Sequence, residues 1–216
     1  MKKRVLCFGD SNTWGSCPLD GNPTRRHADD VRWTGVLQRE LGSGYTVIEE
    51  GQNGRTTVWD DPVEGRMSGV SYLYPCMDSH SPLDLVIIML GTNDLKTRFG
   101  ANGAFTIASG LERLVSTVRT SHTYGDIPEI LIAAPIAVDP AYKNNPDLYD
   151  ILGDDAAERS QSFAKAYEAQ AKALGCHFID AGKYGRPSKT DGIHMEAESH
   201  EALGKAFAAA VRSIIG

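Results

Sequence analysis

The chain has 216 residues and a formal net charge of −6. Of its residues, 41% are hydrophobic and 23% are charged. This length suits one well-buried α/β domain spanning residues 1–216 and is short for two domains. The composition is ordinary for a globular protein, and no basic stripe gathers the lysines and arginines, which argues against a nucleic-acid partner.

The amino terminus begins with three basic residues, Lys2 to Arg4, as a secretory signal does. The apolar stretch behind them lasts about four residues, whereas a signal core needs roughly 7–15. No stretch approaches the roughly 20 apolar residues of a membrane span. We therefore expect a cytoplasmic protein with no membrane partner. In that reducing compartment, scattered cysteines without a C-x-x-C pair are expected to be free and mostly buried. They are Cys7, Cys17, Cys76 and Cys176.

Short apolar runs alternate with stretches of helical periodicity along the chain. The predicted strands are residues 5–8, 45–48, 84–90, 130–134 and 176–179. The predicted helices are residues 31–41, with Asp29 or Asp30 as the cap, and residues 104–121, 156–174 and 197–214. Because strands and helices alternate, we expect a parallel sheet covered on both faces, which makes a three-layer α/β/α sandwich.

Two long segments, residues 58–82 and 135–155, show little periodicity. A segment of this length in a compact domain is usually functional or packed against something. The first holds more large apolar side chains than a solvated loop needs, and bulky residues recur in the second between Tyr142 and Leu152. We expect these segments to form a pocket wall, an interface between subunits or both, and therefore expect a homo-oligomer. The apolar residues of the first segment include Trp59, Met67, Tyr72, Leu73 and Tyr74.

Small polar motifs follow the first three predicted strands, and another precedes the last helix. They are Gly9-Asp10-Ser11, Asn53-Gly54, Asn93-Asp94 and the pair Asp191 and His194. Each alone is also typical of an ordinary turn, helix cap or surface pair. Because the carboxyl ends of parallel strands share one edge, however, we expect these motifs to converge there.

Four sequence blocks resemble those of the SGNH (GDSL-type) hydrolase family. They are Gly9-Asp10-Ser11, Gly54, Gly91-x-Asn93-Asp94 and Asp191-x-x-His194. The match spans residues 9–194, and its one visible departure is Asn12, where the family motif has leucine. That change affects the shape of the pocket rather than the chemistry. The resemblance implies a flavodoxin-like sandwich, no metal or other cofactor, and ester hydrolysis through an acyl-enzyme.

A narrower resemblance links three further stretches to bacterial arylesterases and acyltransferases of that family. These stretches are Arg32-Trp33-Thr34-Gly35, Ile48-Glu49-Glu50-Gly51 and Arg55-Thr56-Thr57. If the pocket is narrow and apolar, an alcohol or a peroxide competes with water for the acyl group. The resemblance thus implies acyltransfer or perhydrolysis beside hydrolysis.

The residue chemistry agrees with ester hydrolysis. Ser11 is the expected nucleophile, His194 the base that takes its proton, and Asp191 the partner of the second imidazole nitrogen. An oxyanion also needs preorganised donors. We assign these to the Ser11 N–H, the Gly54 N–H and the Asn93 side-chain amide.

Residues next to the nucleophile are the expected substrate contacts, namely Asp10, Asn12 and Trp14. Plain packing is the alternative for Trp14, and Asp10 and Asp94 also fit a role in holding loops through backbone hydrogen bonds. His177 falls in a predicted strand and is expected to be a core residue. The other histidines show no metal-ligand spacing. They are His27, His80, His122 and His200.

The sequence therefore favours a serine esterase for short acetyl or aryl esters, acting on a small-molecule substrate. A deacetylase of acetylated carbohydrates would use the same residues, and a thioesterase or lysophospholipase is a third possibility. A non-catalytic binding module is disfavoured because Ser11, Asn93 and His194 are all present. A phosphatase or nucleotide-binding protein is disfavoured because no G-x-x-x-x-G-K-[ST] loop occurs.

Overall fold

The predicted apolar runs form strands in a computed structural model that describes residues 2–18, 25–66, 68–121 and 125–216. The expectations for Met67 and His122 lie outside these ranges. The strands are β1 (Lys3–Gly9), β2 (Tyr45–Gly51), β3 (Leu85–Met89), β4 (Glu129–Ala134) and β5 (His177–Asp180). They pair in the order β2-β1-β3-β4-β5, and every pair is parallel. The predicted parallel sheet is confirmed, and its strand order is the flavodoxin-like one.

Helices connect the strands and cover both faces of the sheet. They are α1 (Ser11–Trp14), α2 (Trp33–Leu41), α3 (Gly69–His80), α4 (Ala104–Ser109), α5 (Leu111–Thr120), α6 (Pro146–Leu152), α7 (Ala156–Ser160), α8 (Phe163–Leu174) and α9 (Ala197–Ile215). Side chains of β1 alternate between the faces, so Val5 and Cys7 pack with α2 and α9, whereas Leu6 and Phe8 pack with α3, α4, α5 and α8. The result is the three-layer sandwich expected from the sequence.

Helix α3 corrects the expectation of a segment without periodicity at residues 58–82. Its buried residues Leu73, Cys76 and Met77 do follow helical spacing, but Pro75 inside the helix interrupts the pattern. Ser68 caps it by accepting a hydrogen bond from the Ser71 N–H. The second such segment likewise contains α6.

Two predicted helices are each divided into two. Gly110 separates α4 from α5, and residues 161–162 separate α7 from α8. Helix α2 begins later than predicted, at Trp33, and neither Asp29 nor Asp30 caps it. The Asp29 carboxylate instead lies 2.7 Å from the Arg32 guanidinium.

His177 is exposed on the edge strand β5, which corrects its placement in the core. Its Nε2 lies 3.1 Å from the carboxylate of Glu129, the first residue of β4, and both side chains are exposed. The buried histidine is His200, whose Nδ1 accepts a hydrogen bond from the Trp33 N–H. The pKa of His200 is lowered to about 3, mainly by burial and to a smaller extent by the charge of the neighbouring His27.

Cys7, Cys76 and Cys176 are free thiols, as predicted, and of these three only Cys176 is partly exposed. Within the described ranges, no helix combines the length and the apolar character needed to cross a membrane.

Candidate active site

Ser11 lies at the turn between β1 and α1, at the carboxyl edge of the sheet. The turn is tight: a Cβ on Gly9 would lie 2.0 Å from Thr13 Oγ1 and 2.9 Å from the Met89 carbonyl oxygen. Asp10 Oδ1 accepts the Asn12 N–H at 3.0 Å and so caps α1. Glycine and the Asp10 cap together fix the position from which the Ser11 side chain projects.

Asp191 and His194 lie on the loop before α9 and meet Ser11 across the edge of the sheet. His194 Nε2 is 3.0 Å from Ser11 Oγ, and His194 Nδ1 is 2.7 Å from Asp191 Oδ2. Asp191 Oδ1 accepts the backbone N–H groups of Ile193 and His194, each at 2.9 Å. The three side chains predicted to act together are therefore in hydrogen-bond contact, although Ser11 lies 183 positions before His194 in the sequence.

The Asp191 carboxylate is held in its charged form although it is fully buried. Burial alone would raise its pKa, but the hydrogen bond and charge of His194 and the two backbone donors lower the pKa below its ordinary value. A charged Asp191 fixes which nitrogen of His194 carries a proton, leaving Nε2 to accept one from Ser11.

The Asn12 side chain links the Ser11 turn to the His194 loop. Its Nδ2 donates to the Ile193 carbonyl and its Oδ1 accepts the Met195 N–H, both at 3.2 Å. Asn12 does not line the cavity next to Ser11, so its expected contact with substrate gains no support from the structure and stays a prediction.

Asp10 and Trp14 are also absent from the lining of the cavity next to Ser11. Asp10 is buried beneath the turn, and the Trp14 ring packs against the Arg26 guanidinium, 4.6 Å from its centroid. The structure therefore gives no support to their expected contacts with substrate.

Gly54 and Asn93 line this cavity together with Ser11 and His194. Gly54 has a φ of +80°, which favours glycine, and Asn93 Nδ2 donates to the Arg55 carbonyl at 3.1 Å. Among the residues that the structure describes, no turn or cap hydrogen bond takes up the N–H of Ser11 or Gly54. The three expected oxyanion donors thus come from three loops that meet at the cavity.

Arg55 joins the Gly54 loop to the end of β1. It is almost fully buried, and its Nη1 donates to the carbonyls of Gly9 at 2.8 Å and Glu50 at 2.5 Å. Its Nη2 donates to Gln52 Oε1 at 3.0 Å, and its guanidinium lies 4.3 Å from the Phe8 ring centroid. These contacts hold the Gly54 loop against the strand that carries Ser11.

The cavity has a volume of about 280 Å³ and two unlike walls. The apolar wall includes side chains from α6, in the second of the two segments expected to form a pocket. The polar wall includes one residue, Glu64, from the first segment. The apolar residues are Leu148, Ile151, Leu152 and Ile193, and the polar ones include Ser16, Asn53, Glu64 and Lys96.

Lys96 and Glu64 were not found by sequence analysis. Lys96 is almost fully buried, and its Nζ lies 2.7 Å from Glu64 Oε1 and 3.2 Å from Asp61 Oδ2. Both residues lie on loops whose approach depends on the complete fold, so no sequence spacing reveals the pair. The Glu64–Lys96 ion pair lies beside Gly54 on the polar wall.

Two buried carboxyls, Asp10 and Asp94, lie behind the site. Burial raises the pKa of Asp10 to about 6 and that of Asp94 to about 7. Asp94 accepts hydrogen bonds from the Thr57 N–H and hydroxyl, which ties two loops together as a structural residue would. In the part of the chain that is described, the group of side chains best arranged for a metal lies elsewhere, at Glu50, Cys76 and His80.

A parallel α/β sheet that brings a serine, a histidine and an aspartate together at its carboxyl edge defines a protein of the hydrolase class. The chain belongs to the GDSL-like lipase/acylhydrolase family, whose model matches residues 7–202. It is a carboxylic-ester hydrolase.

Solved structures support this assignment. An aryl esterase from M. smegmatis is 43% identical, with a TM-score of 0.92 over 99% of this chain and 100% of that one. A carbohydrate acetylesterase from Sinorhizobium meliloti is 40% identical, with a TM-score of 0.93 and the same coverage. Among curated proteins, no sequence matches significantly.

Proposed function

We propose that this protein is a serine esterase that hydrolyses short-chain acyl esters, such as acetyl and aryl esters, through an acyl-enzyme. The observation that carries the proposal is the hydrogen-bonded chain from Ser11 Oγ through His194 to Asp191, at 3.0 and 2.7 Å. A serine hydroxyl is a weak nucleophile alone, and this arrangement supplies the base that activates it.

The reaction has two stages. Ser11 Oγ attacks the ester carbonyl while His194 Nε2 takes its proton, and His194 then gives that proton to the departing alcohol. Water attacks the resulting acyl-enzyme in the same manner and releases the acid. Asp191 orients the imidazole and stabilises its charged form in both stages.

We assign the stabilisation of the developing oxyanion to three donors: the N–H groups of Ser11 and Gly54, and Asn93 Nδ2. The Asn93 amide already donates one hydrogen to the Arg55 carbonyl, which orients the group and leaves the second hydrogen for substrate. Such preorganised donors lose little when charge develops because they do not need to reorient.

The cavity favours a short acyl group because its volume is about 280 Å³, at the small end for ligand pockets. The aryl esterase from M. smegmatis is similar over nearly the whole chain, which supports aryl esters as substrates. If the apolar wall of the cavity excludes water from the acyl-enzyme, alcohols or peroxide compete with water for the acyl group, and acyltransfer or perhydrolysis follows. The small size of the cavity disfavours a lysophospholipase or thioesterase for long acyl chains.

Deacetylation of carbohydrates is the second candidate. The Sinorhizobium acetylesterase supports it, as does the polar wall, where Asn53, Glu64 and Lys96 offer partners for hydroxyl groups. We retain the aryl or simple alkyl ester as the first choice because Leu148, Ile151 and Leu152 give the cavity an apolar lining as well.

The decisive experiment compares wild type with Ser11→Ala on p-nitrophenyl acetate, butyrate and octanoate, with acetylated xylose assayed in parallel. We expect activity to vanish in the variant, and wild-type turnover to fall steeply beyond the short acyl groups. Ser109→Ala is the matched control because Ser109 is exposed on α4. Ester hydrolysis that survives in folded Ser11→Ala would contradict the nucleophile, and faster turnover of the sugar ester would favour the deacetylase.

We propose further that residues 1–216 act as a single cytoplasmic domain that assembles into a homo-oligomer. Tyr74 on α3 and Tyr149 on α6, from the two segments expected to form an interface, are both exposed. Light scattering of the purified protein is expected to give a mass of at least two chains. A monomeric mass would contradict the assembly.

A further inference from the structure

Three side chains with metal-binding atoms meet between β2 and α3. Glu50 lies near the end of the edge strand β2, and Cys76 and His80 lie four residues apart on one face of α3. One ligand atom of each lies within 4.8 Å of those of the other two. A strand and a helix therefore hold sulfur, nitrogen and oxygen ligands around one point.

The Glu50 carboxylate already contacts two neighbouring side chains. His80 Nε2 lies 2.7 Å from Glu50 Oε1, and the Tyr72 hydroxyl lies 3.5 Å from Glu50 Oε2. Cys76 is almost fully buried, whereas the Glu50 and His80 side chains are 21% and 30% exposed. The cluster has one dry side and one side open to solvent, which gives an ion a path of entry.

We infer that Glu50, Cys76 and His80 form a binding site for a divalent zinc-like cation. Zn²⁺ takes thiolate, imidazole and carboxylate ligands together, whereas Mg²⁺ and Ca²⁺ prefer oxygen alone. Three protein ligands leave a fourth tetrahedral position, which water fills from the open side.

The site needs only side-chain adjustment. Metal–ligand bonds of about 2.0–2.3 Å place tetrahedral ligand atoms roughly 3.5 Å apart. The carboxylate and imidazole atoms are closer than this, at 2.7 Å, so they separate as the ion enters between them. Cys76 releases its thiol proton to solvent when its sulfur binds, as thiol ligands do.

Two arginines near the cluster are occupied by other partners. Arg55 donates to the carbonyls of Gly9 and Glu50 and to Gln52, and Arg4 Nη2 donates to the His80 carbonyl at 3.1 Å. The Glu50 carboxylate contacts His80 directly, and Arg55 lies close enough to act on the charges of Glu50 and Cys76. The two ligand anions match the charge of the ion, and the positive charge of Arg55 lies outside the set of ligands.

A second set of the same residue types provides an internal comparison. Glu129 and His177 lie 3.1 Å apart on β4 and β5, and Cys176 is adjacent in sequence. The Cys176 thiol contacts the Leu174 carbonyl and the Arg119 guanidinium instead, so it does not join that pair. The pair lacks its sulfur ligand and serves as a control.

The test is titration of the reduced, tag-free, full-length protein with Co²⁺ and then Zn²⁺. We expect one equivalent of Co²⁺ to produce a thiolate-to-cobalt charge-transfer band, which Zn²⁺ then abolishes. Zn²⁺ is also expected to raise the thermal unfolding midpoint, because it binds the folded state.

Variants separate the site from adventitious binding. Cys76→Ser should remove the charge-transfer band. His80→Gln, at a partly exposed position where the change does not endanger folding, should weaken binding at least about tenfold. Cys176→Ser and His177→Gln should leave the band and the affinity unchanged. Absence of the band in wild type, an affinity that His80→Gln leaves unchanged, or an equal loss in the His177→Gln control would overturn the inference.

Discussion

Asn93 shows how one side chain serves both loop structure and the proposed chemistry. One amide hydrogen is used on the Arg55 carbonyl, which is part of the loop that carries Gly54. Asn93 thereby couples two of the proposed oxyanion donors, because movement of either loop would displace the other.

Replacing Asn93 with alanine is expected to lower kcat at least about 100-fold, because the loss of one oxyanion donor removes roughly 2.7–4 kcal/mol of transition-state stabilisation. KM should change much less, since the donor acts mainly in the transition state. Steady-state kinetics on p-nitrophenyl acetate measures both parameters.

The matched control for that variant is Asn102→Ala. The Asn102 amide also donates to a loop carbonyl, that of Phe99 at 3.0 Å, but it does not line the cavity. We expect its kcat to remain within about twofold of wild type. An unchanged rate in a folded Asn93→Ala would remove Asn93 from the site.

At the scale of elements, the packing of α2 against α9 depends on one small residue. A Cβ on Gly204 of α9 would lie 2.6 Å from Val36 Cβ and 2.7 Å from the Trp33 carbonyl oxygen of α2. The close approach also brings the Trp33 ring to 4.5 Å from the Phe207 ring centroid.

Gly204→Ala is expected to destabilise the protein by about 1–3 kcal/mol, because the added methyl group forces the helices apart. This reverses the gain of about 1 kcal/mol that alanine normally brings to a helix interior. Urea unfolding measures the difference. Ala209→Ser, at an exposed position of the same helix, is the control, and a Gly204→Ala variant at least as stable as wild type would show that the helices can separate without cost.

Local pattern predicted most elements, and the failures have local causes. All five predicted strands are confirmed, because each contains a short apolar run that can be identified without knowing its partner strand. Helix α3 was missed because Pro75 interrupts its apolar spacing, and Gly110 divides a helix that was predicted as continuous.

The candidate site was predictable as far as strand ends determine it. Ser11, Gly54 and Asn93 were placed correctly at one edge because parallel topology alone brings strand ends together. The sequence did not predict the Glu64–Lys96 pair, nor the hydrogen bonds between the Asn12 side chain and the backbone of the His194 loop. Both depend on how loops fold over that edge, which neither periodicity nor motif spacing encodes.

At the scale of the whole molecule, the buried carboxyl of Asp94 connects stability to pH. Its pKa of about 7 in the folded state lies well above the value of about 3.9 for an unfolded chain. Between these values the folded state binds more protons than the unfolded state. The contribution of Asp94 to stability is therefore full below pH 3.9, falls as the pH rises towards 7, and is then lost.

Asp94→Asn is expected to remove this dependence while retaining an acceptor for Thr57. The stability of wild type relative to the variant should be greater at pH 5 than at pH 8, as urea unfolding at both values measures. Asp78→Asn, at an exposed position on α3, is the control and should show the same difference at both pH values. If the stability difference between wild type and Asp94→Asn were the same at pH 5 and pH 8, the Asp94 carboxyl would be charged throughout this range.

The bonds from Asn12 to the backbone of Ile193 and Met195 have a consequence for biosynthesis. The ribosome synthesises the Ser11 turn first, and about 180 further residues must follow before the loop that holds its proposed base, His194, is made. The Asn12 amide has no backbone partner in this loop until β3, β4 and β5 have been synthesised and the loop that carries Ile193 and Met195 packs against the Ser11 turn. We therefore expect nascent chains, and chains truncated before His194, to lack hydrolytic activity.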